Sequence, residues 1–113
     1  MKRTVLSIVL SAIILLASIV AAADIPYLTG RVTDNSQILS KETRQSLTES
    51  LKAHESRTGN QIAVLTIPTL DGESIEDYAT KVFEAWKLGQ KGKDNGLLLI
   101  VVSNDRRMRI EVG

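Results

Sequence analysis

An α/β domain built on a mixed sheet is the fold class this sequence predicts, and three observations carry it. Ile75, Tyr78, Ala79, Val82 and Trp86 recur at the spacing of one face of a helix, and Phe83 widens the stripe. That stripe stands between two apolar runs of strand length, residues 61–67 and 97–102, each bounded by turn residues. After the second run, Met108, Ile110 and Val112 alternate with Arg107, Arg109 and Glu111, the period of a half-exposed strand. A strand–helix–strand unit implies a crossover between parallel strands, and the terminal hairpin then adds an antiparallel strand at one side.

The chain has 113 residues, enough for one domain with a modest core. Its start belongs to no domain. Lys2 and Arg3 precede an apolar run from Val5 to Val20, broken only by Ser7, Ser11 and Ser18. Ala21 and Ala23 then place small residues at the −3 and −1 positions before Asp24. That is the pattern of a secretory signal peptide over residues 1–23 with cleavage after Ala23, so the domain is read over residues 24–113. An export route into the periplasm, cell envelope or extracellular space follows. An uncleaved anchor is the competing reading, but the run is short for a span of about 20 residues.

Without Lys2 and Arg3 the chain carries 12 basic and 13 acidic residues. A net charge near zero gives no electrostatic reason to expect a nucleic-acid partner. The absence of cysteine excludes disulfides, a thiol nucleophile and Cys-ligated iron–sulfur clusters. No haem is expected either. Gly89-x-x-Gly92 follows a helix instead of opening one, so no nucleotide is expected.

From residue 25 the chain reads as an extended lead-in, with Val32 as an apolar peg and turns at Gly30 and Asp34-Asn35-Ser36. Ser40 is an N-cap for a first helix through about Arg57, with Glu42 favouring its dipole. Leu47 and Leu51 give that helix one narrow apolar face, and Gly59-Asn60 end it. The strand over residues 61–67 stops at Pro68. Asp71-Gly72 turns the chain, and Ser74 with Asp77 resembles a capping box for the second helix. Gly89 is expected to end that helix.

Asp94-Asn95-Gly96 turns the chain into the apolar run, and Asn104-Asp105 forms the hairpin loop. That loop sets Val101 opposite Met108, Leu99 opposite Ile110 and Leu97 opposite Val112. This apolar face is expected to be the core of the sheet. Gly113 follows directly on a strand, which leaves the sheet's second face without a closing helix, and the natural domain is expected to continue.

The series VTDNSQILS, TGNQIAVLTI, SIEDYATKVFEAWKLGQKGKDNGLLLIVV and DRRMRIEVG, in this order and spacing, resembles the TPM domain, also described as YgcG-like. The resemblance covers residues 28–113. It implies an α/β/α sandwich with a Rossmann-like sheet, carried by exported bacterial and thylakoid-lumen proteins. Many members have a C-terminal membrane helix, and the family pattern runs past Gly113 into an acidic loop and more helix. Members include an acid phosphatase, a factor linked to photosystem II repair, an accessory factor for acetylcholine receptors, and bacterial proteins that bind divalent metal at an acidic cleft. A membrane-protein complex is the partner this implies, with membrane attachment through a segment beyond Gly113.

Asp34 and Asp94 match the family's acidic positions, in VTD and DNG. Such carboxylates suit a hard cation, calcium or magnesium, and Asn95 can add a carbonyl oxygen. Beside this stands a plainer reading, in which both aspartates form side-chain-to-backbone turns. Two functions follow: a metal-binding accessory module for membrane-protein complexes, or a metal-dependent acid phosphatase with Arg107 or Arg109 clamping phosphate. Alternating arginines on an exposed strand also serve to protect an edge. His54 stands alone in the sequence and reads as a helix residue. Asp71, Glu73, Glu76 and Asp77 read as capping and dipole compensation, since their spacing fits no EF-hand loop.

Overall fold

The computed structural model describes residues 23–113, so the expected signal peptide lies outside the described residues except for Ala23. The elements run β1 (Val32–Asp34), α1 (Lys41–Thr58), β2 (Gln61–Ile67), α2 (Ile75–Trp86), β3 (Gly96–Val102) and β4 (Arg107–Val112). They form a four-stranded sheet in the order β1-β2-β3-β4. The first three strands are parallel and β4 is antiparallel to β3, so the expected mixed sheet is present. β1 is an addition to the sequence reading. Its three residues are too few to show a period.

The helices form where their caps and stripes place them. The Ser40 hydroxyl accepts from the Thr43 amide at 3.0 Å, and Gly59 closes α1 in the left-handed conformation at φ 80°. The Ser74 hydroxyl accepts from the Asp77 amide at 3.1 Å to start α2. That helix ends at Trp86, three residues before Gly89, with Lys87 taking the left-handed cap at φ 52°. Gly89 has a different task. It lies back to back with Gly96, so close that a side-chain carbon on it would sit 2.8 Å from the Gly96 amide nitrogen.

α2 buries Ile75, Tyr78, Ala79, Val82 and Trp86 against Ala63, Leu65, Ile67, Leu98, Ile100 and Val102. Each fully buried Leu or Ile there contributes roughly 1.5–3 kcal/mol. By alternation, Val32 and Val64 point to the other face, where α1 packs on β1 and β2. One helix therefore lies on each side of the sheet. Residues 23–30 strap across α2. The Tyr78 hydroxyl donates to the Asp24 carbonyl at 3.0 Å and the Trp86 indole to the Pro26 carbonyl at 2.9 Å. Burial of the Tyr78 phenol, with the charges of Glu73 and Asp24, pushes its pKa up to about 12, so it stays a neutral donor.

The hairpin register is the one the sequence predicts: Leu97 faces Val112, Leu99 faces Ile110 and Val101 faces Met108. The core, however, is on the opposite face. Leu98, Ile100 and Val102 are fully buried, whereas Met108, Ile110 and Val112 are 66%, 58% and 66% exposed. Both faces of β3 are apolar, so its sequence could not choose between them. The choice belongs to α2, which covers the side from which the β4 charges extend. The loop is also longer than two residues, because the ladder ends at Val102–Arg107. The Ser103 and Asn104 amides turn away to donate to the Ile67 and Pro68 carbonyls, at 3.0 and 2.9 Å.

Candidate functional site

Open parallel sheets bind ligands beyond the carboxyl ends of their strands, where loops leave for opposite faces. Here that end gathers polar groups from all three parallel strands. Asp34 closes β1. Its Oδ1 accepts from the Thr66 hydroxyl at 2.5 Å and from the Ile38 amide at 3.2 Å, and its Oδ2 accepts from the Leu39 amide at 2.9 Å. Thr66 in turn accepts from the Ser36 amide at 3.0 Å, and the Ser103 hydroxyl meets the Ser36 hydroxyl at 3.0 Å. Asp105 ties the hairpin loop to the end of β2, accepting from the Thr69 hydroxyl and the Leu70 amide at 3.2 and 3.1 Å.

Burial pulls the Asp34 pKa upward. The hydrogen bonds from Thr66, Leu39 and Ile38 and the charge of Arg44 outweigh it, and the net shift is below the ordinary carboxylate value. A carboxylate that stays ionised and accepts from two successive backbone amides is an anchor for the loop over residues 35–39. Beside it runs a cleft of about 670 Å³ between α1 and the outer edge of β1. Lys41, Arg44 and Lys52 bring three cations to this cleft, against the carboxylates of Asp34 and Glu49.

Asp94 is at the other end of the sheet. It precedes β3, whose Gly96 pairs with Gln61 at the start of β2, whereas Asp34 pairs with Thr66 near the end of β2. At about 3.3 Å per residue these two levels lie roughly 16 Å apart along the strands. Asp34 and Asp94 therefore do not meet, and a single ion cannot be shared between them. Asn95 is likewise occupied. Its Oδ1 accepts from the Gln90 amide at 2.6 Å and its Nδ2 donates to the Gly59 carbonyl at 2.8 Å, which staples the loop before β3 to the end of α1. The set Asp34, Asp94 and Asn95 does not fit one calcium or magnesium ion. No group of three or more His, Asp or Glu side chains suited to a metal ion occurs among the described residues. Asp94 instead borders a hollow of about 250 Å³ with His54, Asn60 and Val112.

The two arginines also part company. Arg107 borders a small polar hollow with Glu73 and Asp105 at the carboxyl end, while Arg109 donates to Glu111 at 2.9 Å on its own strand. Thr66 and Ser103 carry no site motif in the sequence, and Ser36 and Asp105 read there only as turn residues. For Thr66, Ser103 and Asp105 the available signal is position, since each stands at or just beyond the end of an apolar run, whereas Ser36 follows a strand too short to be read.

A family described as TPM domain matches residues 32–113, most of the chain and all four strands. The chain belongs to the TPM-domain family. Solved structures agree with this TPM fold. The solution NMR structure of an N-terminal domain from P. gingivalis is 34% identical, with a TM-score of 0.69, over 75% of this chain and 54% of that one. The N-terminal domain of the cg2496 protein from Corynebacterium glutamicum superposes with a TM-score of 0.63 at 19% identity, over 85% of this chain and 62% of that one. At that identity the second likeness concerns the fold alone. The chain thus spans about half the length of the first domain and under two thirds of the second. No match is found among curated proteins. No described helix is long and apolar enough to cross a membrane.

Proposed function

We propose that this TPM-domain chain is an exported accessory module that works at the cell envelope by binding a membrane-protein complex, not by turnover. The observation that carries this reading is the engagement of Asp34. Both of its oxygens already accept hydrogen bonds that fix the loop after β1, so the carboxylate serves as a structural clamp at the carboxyl end of the sheet. Export rests on the charged, apolar and small-residue pattern of residues 1–23. Calcium or magnesium remains part of the proposal as a ligand of oxygen donors, as the family resemblance implies, but not one held jointly by Asp34, Asp94 and Asn95.

One observation favours a second reading, metal-dependent acid phosphatase activity. The cleft beside Asp34 carries Lys41, Arg44 and Lys52, a cationic wall suited to an anionic ester. Purified protein is assayed for hydrolysis of a phosphate monoester with calcium, with magnesium and with chelator. The binding-module reading expects no turnover in any of these, and a calcium-dependent thermal shift without turnover would agree with it. Hydrolysis that chelator abolishes and that falls at least tenfold in Arg44→Ala establishes the phosphatase reading instead.

A further inference from the structure

We propose that β4 pairs with the β4 of a second copy of this chain, antiparallel about a two-fold axis at Ile110, to give a continuous eight-stranded sheet. β4 is the outer strand, and its other neighbour is missing among the described residues. Gly96 and Gly113 exchange both backbone hydrogen bonds, at 3.1 and 3.3 Å. In an antiparallel ladder, bonded and non-bonded pairs alternate. Residues 107, 109 and 111 therefore spend their amides and carbonyls on β3, while Met108, Ile110 and Val112 direct theirs outward. The ladder runs unbroken from Arg107 to Val112, without the bulge or proline that blunts many edges.

The side chains choose the partner and the register. A symmetric antiparallel pair must set its outward-bonding residues 108, 110 and 112 against one another. Centring the axis on Arg109 would place Arg109 against its own copy, and centring it on Glu111 would oppose two glutamates. Centring it on Met108 would set Arg107 against Arg109. With the axis at Ile110, Arg109 of each copy faces Glu111 of the other, twice, and Met108 faces Val112. Opposite charges on one face and apolar side chains on the other make this strand complementary to itself. The exposed Met108, Ile110 and Val112 then gain apolar neighbours along their flanks. Main-chain bonds supply the adhesion, and the charge order supplies the choice of partner.

The test uses the full chain, expressed and purified. Sedimentation equilibrium is expected to show a monomer–dimer equilibrium. Arg109→Glu and Glu111→Arg should each raise the dissociation constant about tenfold or more, because each opposes like charges twice. The double exchange, R109E with E111R, should restore the dimer. Because the chain has no cysteine, Ile110→Cys offers a second readout that does not depend on those variants folding. Residues facing themselves across a bonded pair have Cα atoms about 5.5 Å apart, within disulfide range. Ile110→Cys should therefore cross-link with itself under mild oxidation, and Met108→Cys should do so at least tenfold more slowly. A monomer at every concentration, a dimer insensitive to both single charge reversals, or equal cross-linking by the two cysteine variants would overturn the proposal and leave the edge to another segment or partner.

Discussion

At Asp34 one side chain does the work of several backbone partners. The chain leaves β1 and must reach the Ser40 cap within six residues, and two amides on that path, those of Ile38 and Leu39, find their acceptor in this carboxylate. The hydroxyl of Thr66, itself nearly buried, finds its acceptor there too. Because the folded pKa lies below the ordinary value, the linkage has a fixed sign. The contribution to stability is fully present above the unfolded carboxyl pKa, about 3.9, and is lost as pH falls through the lower folded value. Asp34→Asn presents an NH₂ group where an acceptor is needed. It should cost about 1–3 kcal/mol at neutral pH, and the difference from the parent should shrink below pH 4. Urea unfolding followed by circular dichroism at pH 7 and in steps below pH 4 measures both. A constant difference across the acid range would mean that the carboxylate charge is not what holds the loop.

Among the elements, those with a local signal were legible in the sequence. Ser40 and Ser74 cap the helices as read, and the hairpin register follows from its alternation. The end of α2 was less legible, because the glycine that looks like a stop signal answers a different constraint. Gly89 accommodates a tertiary approach to Gly96 that no local pattern encodes. Two alanine substitutions separate this contact from backbone strain. Gly89 and Gly92 both have positive φ, 85° and 79°, but a side-chain carbon at Gly92 would meet nothing within 4 Å. Gly92→Ala should cost about 1 kcal/mol for its conformation alone. Gly89→Ala adds a clash with rigid backbone and should cost at least about 2 kcal/mol more, or prise β3 from the loop before it. Thermal unfolding of the two variants side by side tests this, and equal losses would refute a packing role for Gly89.

For the molecule as a whole, what the sequence withheld was the placement of parts across the sheet. Asp34 ends one strand and Asp94 precedes another that runs parallel to it, so the two stand at opposite ends. This could be read only once β1 was known to be a strand. The core face was withheld for a related reason: Leu97–Val102 is apolar at every position, and only the docking of α2 decides which set is buried. That decision is measurable because Ile100 and Ile110 allow the same substitution on the two faces of the hairpin. Ile100 has no exposure and touches the α2 cluster, whereas Ile110 is 58% exposed. Ile100→Ala should lose about 2–5 kcal/mol, the cost of a cavity that the packed stripe of α2 cannot refill. Ile110→Ala should lose about 1 kcal/mol or less, mainly strand propensity, when measured dilute enough to exclude self-association. Had the apolar face of the hairpin been the core, the order would be reversed, because the Leu99–Ile110 pair would then be the sealed one. Denaturant unfolding of both variants at one low protein concentration therefore decides which side of β3 the molecule is built around.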